Sequence, residues 1–138
     1  MSRTRSVTFE TFDGICSVST LAPLLEKAGW SFISPDGGVN IYDINGDDEW
    51  GGFNGTYEEF LTADIRQRLI AMYGSDGQTA ELWIENDFRF TIFLSAYISM
   101  VQTEKGEHID LNRYYEEFIG AFNSDRCIIN RVSFEEHF

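Results

Sequence analysis

The stretch from Asp43 to Gly55, DINGDDEWGGFNG, gathers four carboxylates, four glycines, a tryptophan and a phenylalanine into thirteen positions. Three chemistries use such a composition: cation chelation, acid–base catalysis, and capture of a basic protein by acidic and aromatic side chains. Asp43, Asn45 and Asp47 stand two residues apart, as in the first half of an EF-hand calcium loop. That loop also needs a glycine at its sixth position and a bidentate glutamate at its twelfth, where this chain has Asp48 and Asn54. A helix must precede it, yet Val39 to Ile44 reads as a strand. No metal and no other cofactor is expected.

Catalysis finds no better footing. His108 and His137 are the only histidines, and neither lies beside a nucleophile motif or in a zinc-ligand pattern. Asp47, Asp48 and Glu49 could in principle supply an acid–base pair, but adjacent acids in a glycine-rich loop are ordinarily solvated, with nothing to separate their pKa values. The glycines form neither a dinucleotide fingerprint nor a phosphate loop. The expectation is a protein that binds and does not catalyse.

The elements that must position these residues follow from periodicity. Thr4 to Glu10 alternates as a strand, with Val7 and Phe9 on one side. Ser19 to Ala28 has helix signals: Ser19 or Thr20 as cap, Pro23 in the first turn, Gly29 as stop. Trp30 to Ile33 and Val39 to Ile44 read as a hairpin about Pro35-Asp36-Gly37-Gly38. Thr56 and Glu59 make a capping box, and Leu61, Ile65, Leu69 and Met72 suggest a helical stripe running to Tyr73-Gly74.

Thr79 to Glu85 and Phe88 to Ile98 alternate as a hairpin with Ala80, Leu82, Ile84, Phe88, Phe90 and Ile92 on the apolar side. Opposite residues share a face, so a three-residue turn at Glu85-Asn86-Asp87 is expected, with Asn86 or Asp87 left-handed. That register pairs Ile84 with Phe88, Leu82 with Phe90 and Trp83 with Arg89. Asp110 can cap a last helix with Leu111, Tyr115, Phe118 and Phe122 as its stripe, and Cys127 to Phe134 reads as a closing strand. The result is one α+β domain over residues 1–138, in the order β-α-β-β-α-β-β-α-β. Its sheet is mostly antiparallel, with five to six strands and three helices on one face.

The other face of the central hairpin carries Glu81, Trp83, Arg89, Thr91, Phe93, Ser95 and Tyr97. Three aromatics there imply either a second covering layer or a patch for a partner. Trp50 and Phe53 pose the same choice, between tucking under the helix that starts at Thr56 and standing exposed beside the acids.

Charge weighs on the choice. The chain carries 23 Asp and Glu against 10 Lys and Arg, a net −13, which disfavours nucleic acid and anionic membranes and favours a basic protein. No stretch approaches the ~20 apolar residues of a membrane span. The N-terminal MSRTRSVTFE lacks an apolar signal core. Cys16 and Cys127 lack CxxC spacing and suit reduced, buried thiols, so a cytoplasmic location is expected.

With its small size, acidity and lack of a catalytic signature, and in the stretches GGVNIYDINGDDEW and ENDFRFTIFLSAY, the chain resembles the immunity proteins of bacterial polymorphic toxin and contact-dependent inhibition systems. The resemblance implies a cognate toxin as partner, often a basic nuclease, blocked at or beside its active site. The contacts suggested by the residues are Asp47, Asp48, Glu49, Trp50 and Phe53, then Glu81, Trp83, Phe93 and Tyr97. Free in solution, such a protein would be a monomer or weak dimer. The alternative is a small acidic scaffold that self-associates through its aromatic sheet face.

Overall fold

The computed structural model describes residues 4–43, 49–74, 77–94, 100–109 and 129–137. These hold strands β1 (Thr4–Thr11), β2 (Asn40–Tyr42), β3 (Trp50–Gly52), β4 (Leu69–Tyr73), β5 (Thr79–Asn86), β6 (Arg89–Leu94), β7 (Met100–Thr103), β8 (Gly106–Ile109) and β9 (Ile129–His137). Two helices lie among them, α1 (Val18–Lys27) and α2 (Tyr57–Thr62). Seven strands form one sheet in the order β3-β2-β4-β5-β6-β1-β9, while β7 and β8 pair separately, and every pairing is antiparallel. The α+β class therefore holds, with a wider sheet than the expected five to six strands. The helix expected from Asp110 to Phe122 lies outside the described residues.

One sheet face is largely apolar, although Arg5 of β1 lies buried on it opposite Leu94. Val7 and Phe9 of β1, Ile70 and Met72 of β4, Ala80, Leu82 and Ile84 of β5, and Phe90, Ile92 and Leu94 of β6 are all buried. Val18, Leu21, Ala22 and Leu25 of α1 and Phe60 of α2 join them in one cluster. Phe9 and Phe90 sit directly across the β1–β6 ladder and stack with ring centroids 4.9 Å apart, a cross-strand pairing that ties the start of the described chain to its middle. Helix α1 begins two to three residues earlier than a cap at Ser19 or Thr20 would allow, because Ser17 is its cap and its hydroxyl accepts from the Thr20 amide. Gly29, at φ 102°, supplies the left-handed residue that ends it.

Three expectations need correcting. The helical stripe through Leu69 and Met72 does not exist: α2 stops at Thr62, and 69–73 is strand β4. A 4-4-3 spacing of apolar residues coincides here with an alternation, in which Ile70 and Met72 are buried and Leu69, Ala71 and Tyr73 lie on the other face. Gln67 breaks any continuous helix by adopting φ 55°, and its amide donates to the Ile84 carbonyl.

The expected hairpin of Trp30–Ile33 with Val39–Ile44 is also absent. Ser31 bridges to Tyr73, and β2 takes β3 and β4 as its partners. Finally, the central hairpin turns at Asp87-Phe88, with Asn86 opposite Arg89 and an irregularity at Glu85. A plain two-residue turn would set Glu85 against Phe90 and mix the faces. The bulge at Glu85 absorbs one residue, so Ile84 meets Phe90, Leu82 meets Ile92 and Trp83 meets Thr91. Phe88 becomes a turn residue, 52% exposed, and Trp83 does not face Arg89, which pairs with Glu85 at 3.1 Å. No left-handed residue is needed at Asn86 or Asp87. The Asn86 side chain instead accepts from the Phe88 amide at 2.8 Å.

The capping box at α2 is complete. Thr56 Oγ1 accepts from the Glu59 amide, and the Glu59 carboxylate accepts from the Thr56 amide. The bond from the Thr56 amide and, after it, the Thr56 hydroxyl hold the Glu59 carboxyl below its ordinary value. Because α2 has only six residues, it depends heavily on this cap and on Phe60. Thr56→Ala should destabilise the protein by about 1 kcal/mol in urea unfolding. Glu59→Gln should cost less at low pH than at neutral pH, since the stabilisation from a lowered carboxyl is present above its unfolded pKa and lost as pH falls through its folded one.

Candidate functional site

The two aromatics of the acidic loop have separate fates. Phe53 is half-buried, its ring edge-on to Phe60 with centroids 5.7 Å apart, and its amide donates to the Val39 carbonyl at 2.7 Å. It is thus a contact beneath α2 and leaves the expected binding set. Trp50 remains 45% exposed on β3, opposite Tyr42, whose ring lies 5.4 Å from it. Glu49 beside it is exposed. Asp47 and Asp48, like Tyr97 further on, lie outside the described residues.

Register places Trp50 on the sheet face opposite the helices. Cross-strand pairing runs from Trp50 to Tyr42 to Leu69 to Trp83 to Thr91, and a parallel row runs from Ala71 to Glu81 to Phe93 to Ser6. This is the face foreseen from the alternation of β5 and β6, now widened by β2, β3 and β4. Along it Trp83, Phe93, Leu69 and Glu81 are half-buried, while Ser6, Thr8 and Thr91 are buried. The Thr8 and Thr91 hydroxyls share a hydrogen bond at 2.9 Å, so the polar stretch of the face is internally satisfied.

Between Trp50 and β5 the surface sinks into a cleft of about 270 Å³, lined by Asn40, Trp50, Ala71, Tyr73, Thr79 and Glu81, with Met72 and Ala80 contributing from the strands below. Ala71 keeps the floor low, and Trp50 and Tyr73 raise its walls. Asn40 Nδ2 donates to the Tyr73 hydroxyl at 2.9 Å and fixes that ring. Among the described residues Glu81 has no hydrogen-bond or ion-pair partner, and burial pushes its carboxyl up from the ordinary value. Sequence reasoning chose Trp50 and Glu81 but missed Asn40, Tyr42, Ala71 and Tyr73. The signal for the last two was the alternation of Leu69 to Tyr73, hidden by the helical reading.

A second apolar feature lies at the other end of β5. Phe12 is 63% exposed near Phe88, whose carbonyl accepts from the Thr11 amide. Arg66 binds both Asp64 at 2.8 Å and Asp87 at 2.5 Å beside that turn. Among the described residues no group of three or more His, Cys, Asp and Glu is placed to hold a metal ion, and no helix is long and apolar enough to cross a membrane. Cys16 is a free buried thiol, raised above its ordinary pKa chiefly by burial.

No family model, curated protein or solved structure matches this chain. The site must therefore be read from its own chemistry: π surfaces, one desolvated carboxylate, and no nucleophile–base pair in the cleft.

Glu81 yields a stability test. A carboxyl whose folded pKa is raised favours the fold at low pH and loses that contribution as pH rises through the folded pKa. Glu81→Gln should accordingly raise the thermal midpoint at neutral pH, and the gain should shrink as pH falls through the carboxylate range. A variant less stable than the parent at neutral pH would show that the carboxylate has a stabilising partner.

Proposed function

We propose that this protein is a non-enzymatic immunity protein, acting in the cytoplasm, that binds and neutralises a basic toxin domain such as a nuclease by covering its active site or an adjacent surface. The observation that carries the reading is Trp50, a large ring left 45% exposed on a strand that follows an acidic loop. An aromatic anchor with acids around it is what docking onto a cationic protein requires. The net charge of −13 adds speed, since opposite fields raise the rate of encounter. Glu81, Trp83 and Phe93, half-buried on the same sheet face, extend the surface, and Asp47, Asp48, Glu49 and Tyr97 complete the proposed contact set. Phe53 is left out because it serves the core.

The alternative is a small acidic scaffold that self-associates through the aromatic sheet face bearing Trp83 and Phe93, both half-buried in the monomer. Sedimentation separates the two readings. A monomer that forms a complex with a basic protein co-expressed from a neighbouring reading frame supports the immunity function, whereas a stable dimer that buries Trp83 and Phe93 supports the scaffold. In calorimetric titration with that basic protein, Trp50→Ala should weaken binding by about 2 kcal/mol or more, the scale of a hot-spot truncation. A loss of only a few tenths would remove Trp50 from the interface.

A further inference from the structure

The cleft beside Trp50 has three properties that together restrict what can enter it. Its walls are two aromatic rings, Trp50 and Tyr73, and the second is fixed by Asn40. Its volume of about 270 Å³ suits one long side chain and excludes a folded segment. It holds a single charge, the Glu81 carboxylate, half-withdrawn from water and without a described partner. A desolvated carboxylate beside π faces attracts a cation and repels anions. Among the described residues, Arg68 pairs with Asp43 at 3.4 Å, and Arg66, at the other end of β5, is committed to Asp64 and Asp87.

We propose that this cleft receives the guanidinium of one arginine from the partner protein, laid flat on Trp50 with its N–H groups donating to the Glu81 carboxylate. The assignment rests on the docking function proposed above and names the chemistry of its central contact. Arginine is favoured over lysine on physical grounds. Its planar, weakly hydrated group stacks on an indole while forking onto a carboxylate, whereas an ammonium is a compact charge that is costly to strip of water. Tyr42, packed on Trp50 from β2, holds the indole in place for that stack.

The test uses the full-length protein and two-dimensional NMR of the Trp50 indole N–H. The probes are Nα-acetyl-arginine amide, its neutral isostere Nα-acetyl-citrulline amide, and Nα-acetyl-lysine amide. The arginine derivative should give a saturable shift at Trp50. The citrulline derivative should bind at least tenfold more weakly, and the lysine derivative severalfold more weakly. Glu81→Gln should weaken arginine binding at least tenfold and weaken the basic partner to a similar degree. Equal binding of citrulline, equal binding of lysine, an effect unmoved by Glu81→Gln, or no saturable shift would each overturn the assignment. The two proposals fail separately. Partner binding untouched by Glu81→Gln leaves the docking face standing and removes the arginine. Arginine binding without any complex with the basic protein keeps the cleft and removes the immunity function.

Discussion

The contact of Phe53 with Phe60 governs how the acidic loop ends. Phe60 is wholly buried and meets Phe32, Phe53 and Tyr57 ring to ring. It is the point where α2 joins the core. By drawing Phe53 under the helix, it fixes the chain just after β3, and the amide of Phe53 reaching Val39 seals that position. Trp50 lies only three residues earlier in an extended strand, so its side chain must emerge on the other side of the sheet. One aromatic of the loop is consumed in anchoring and the other is thereby presented. The Tyr57 hydroxyl donates to Glu26 of α1 and so links α2 to α1.

Upon that anchor stands a sheet with unlike faces. The helical side is apolar apart from the buried Arg5, and its cohesion comes chiefly from area removed from water, at roughly 25 cal/mol per Å². The opposite side mixes Trp, Phe and Leu with Thr, Ser and Glu, and Ser6, Thr8 and Thr91 on it are buried. β1 unites the two halves. It lies between β6 and β9, so the strand that opens the described chain is flanked by two that come much later. Closing such long-range ladders is slow relative to helix formation, because chain entropy is lost before the contacts form.

Periodicity in the sequence carried the fold class, the faces of β5 and β6, the capping box at Thr56 and the start of β1. Those features depend on neighbours a few residues apart. The errors fell where a local pattern fits two geometries. Leu61, Ile65, Leu69 and Met72 satisfy a helix, but burial of Ile70 between β2 and β5 decides for a strand. The hairpin register failed because a bulge is invisible to alternation: Phe88 continues the apolar series yet belongs to the turn. Of the site, Trp50, Glu81, Trp83 and Phe93 were legible as non-core aromatics and acids. The cleft was not, since it depends on the adjacency of β2, β4 and β5, which no local signal encodes.

Gly51 and Gly52 complete the strand that bears Trp50, and among the described residues a Cβ placed at either would meet nothing within 4 Å. The rim next to the indole is therefore sterically vacant and makes no demand on the interior. Side chains can be gained or exchanged there at little folding penalty, while residues such as Ile70 and Phe60 cannot drift in the same way. A scaffold that separates an evolvable margin from a fixed interior can vary that margin without renegotiating its own architecture.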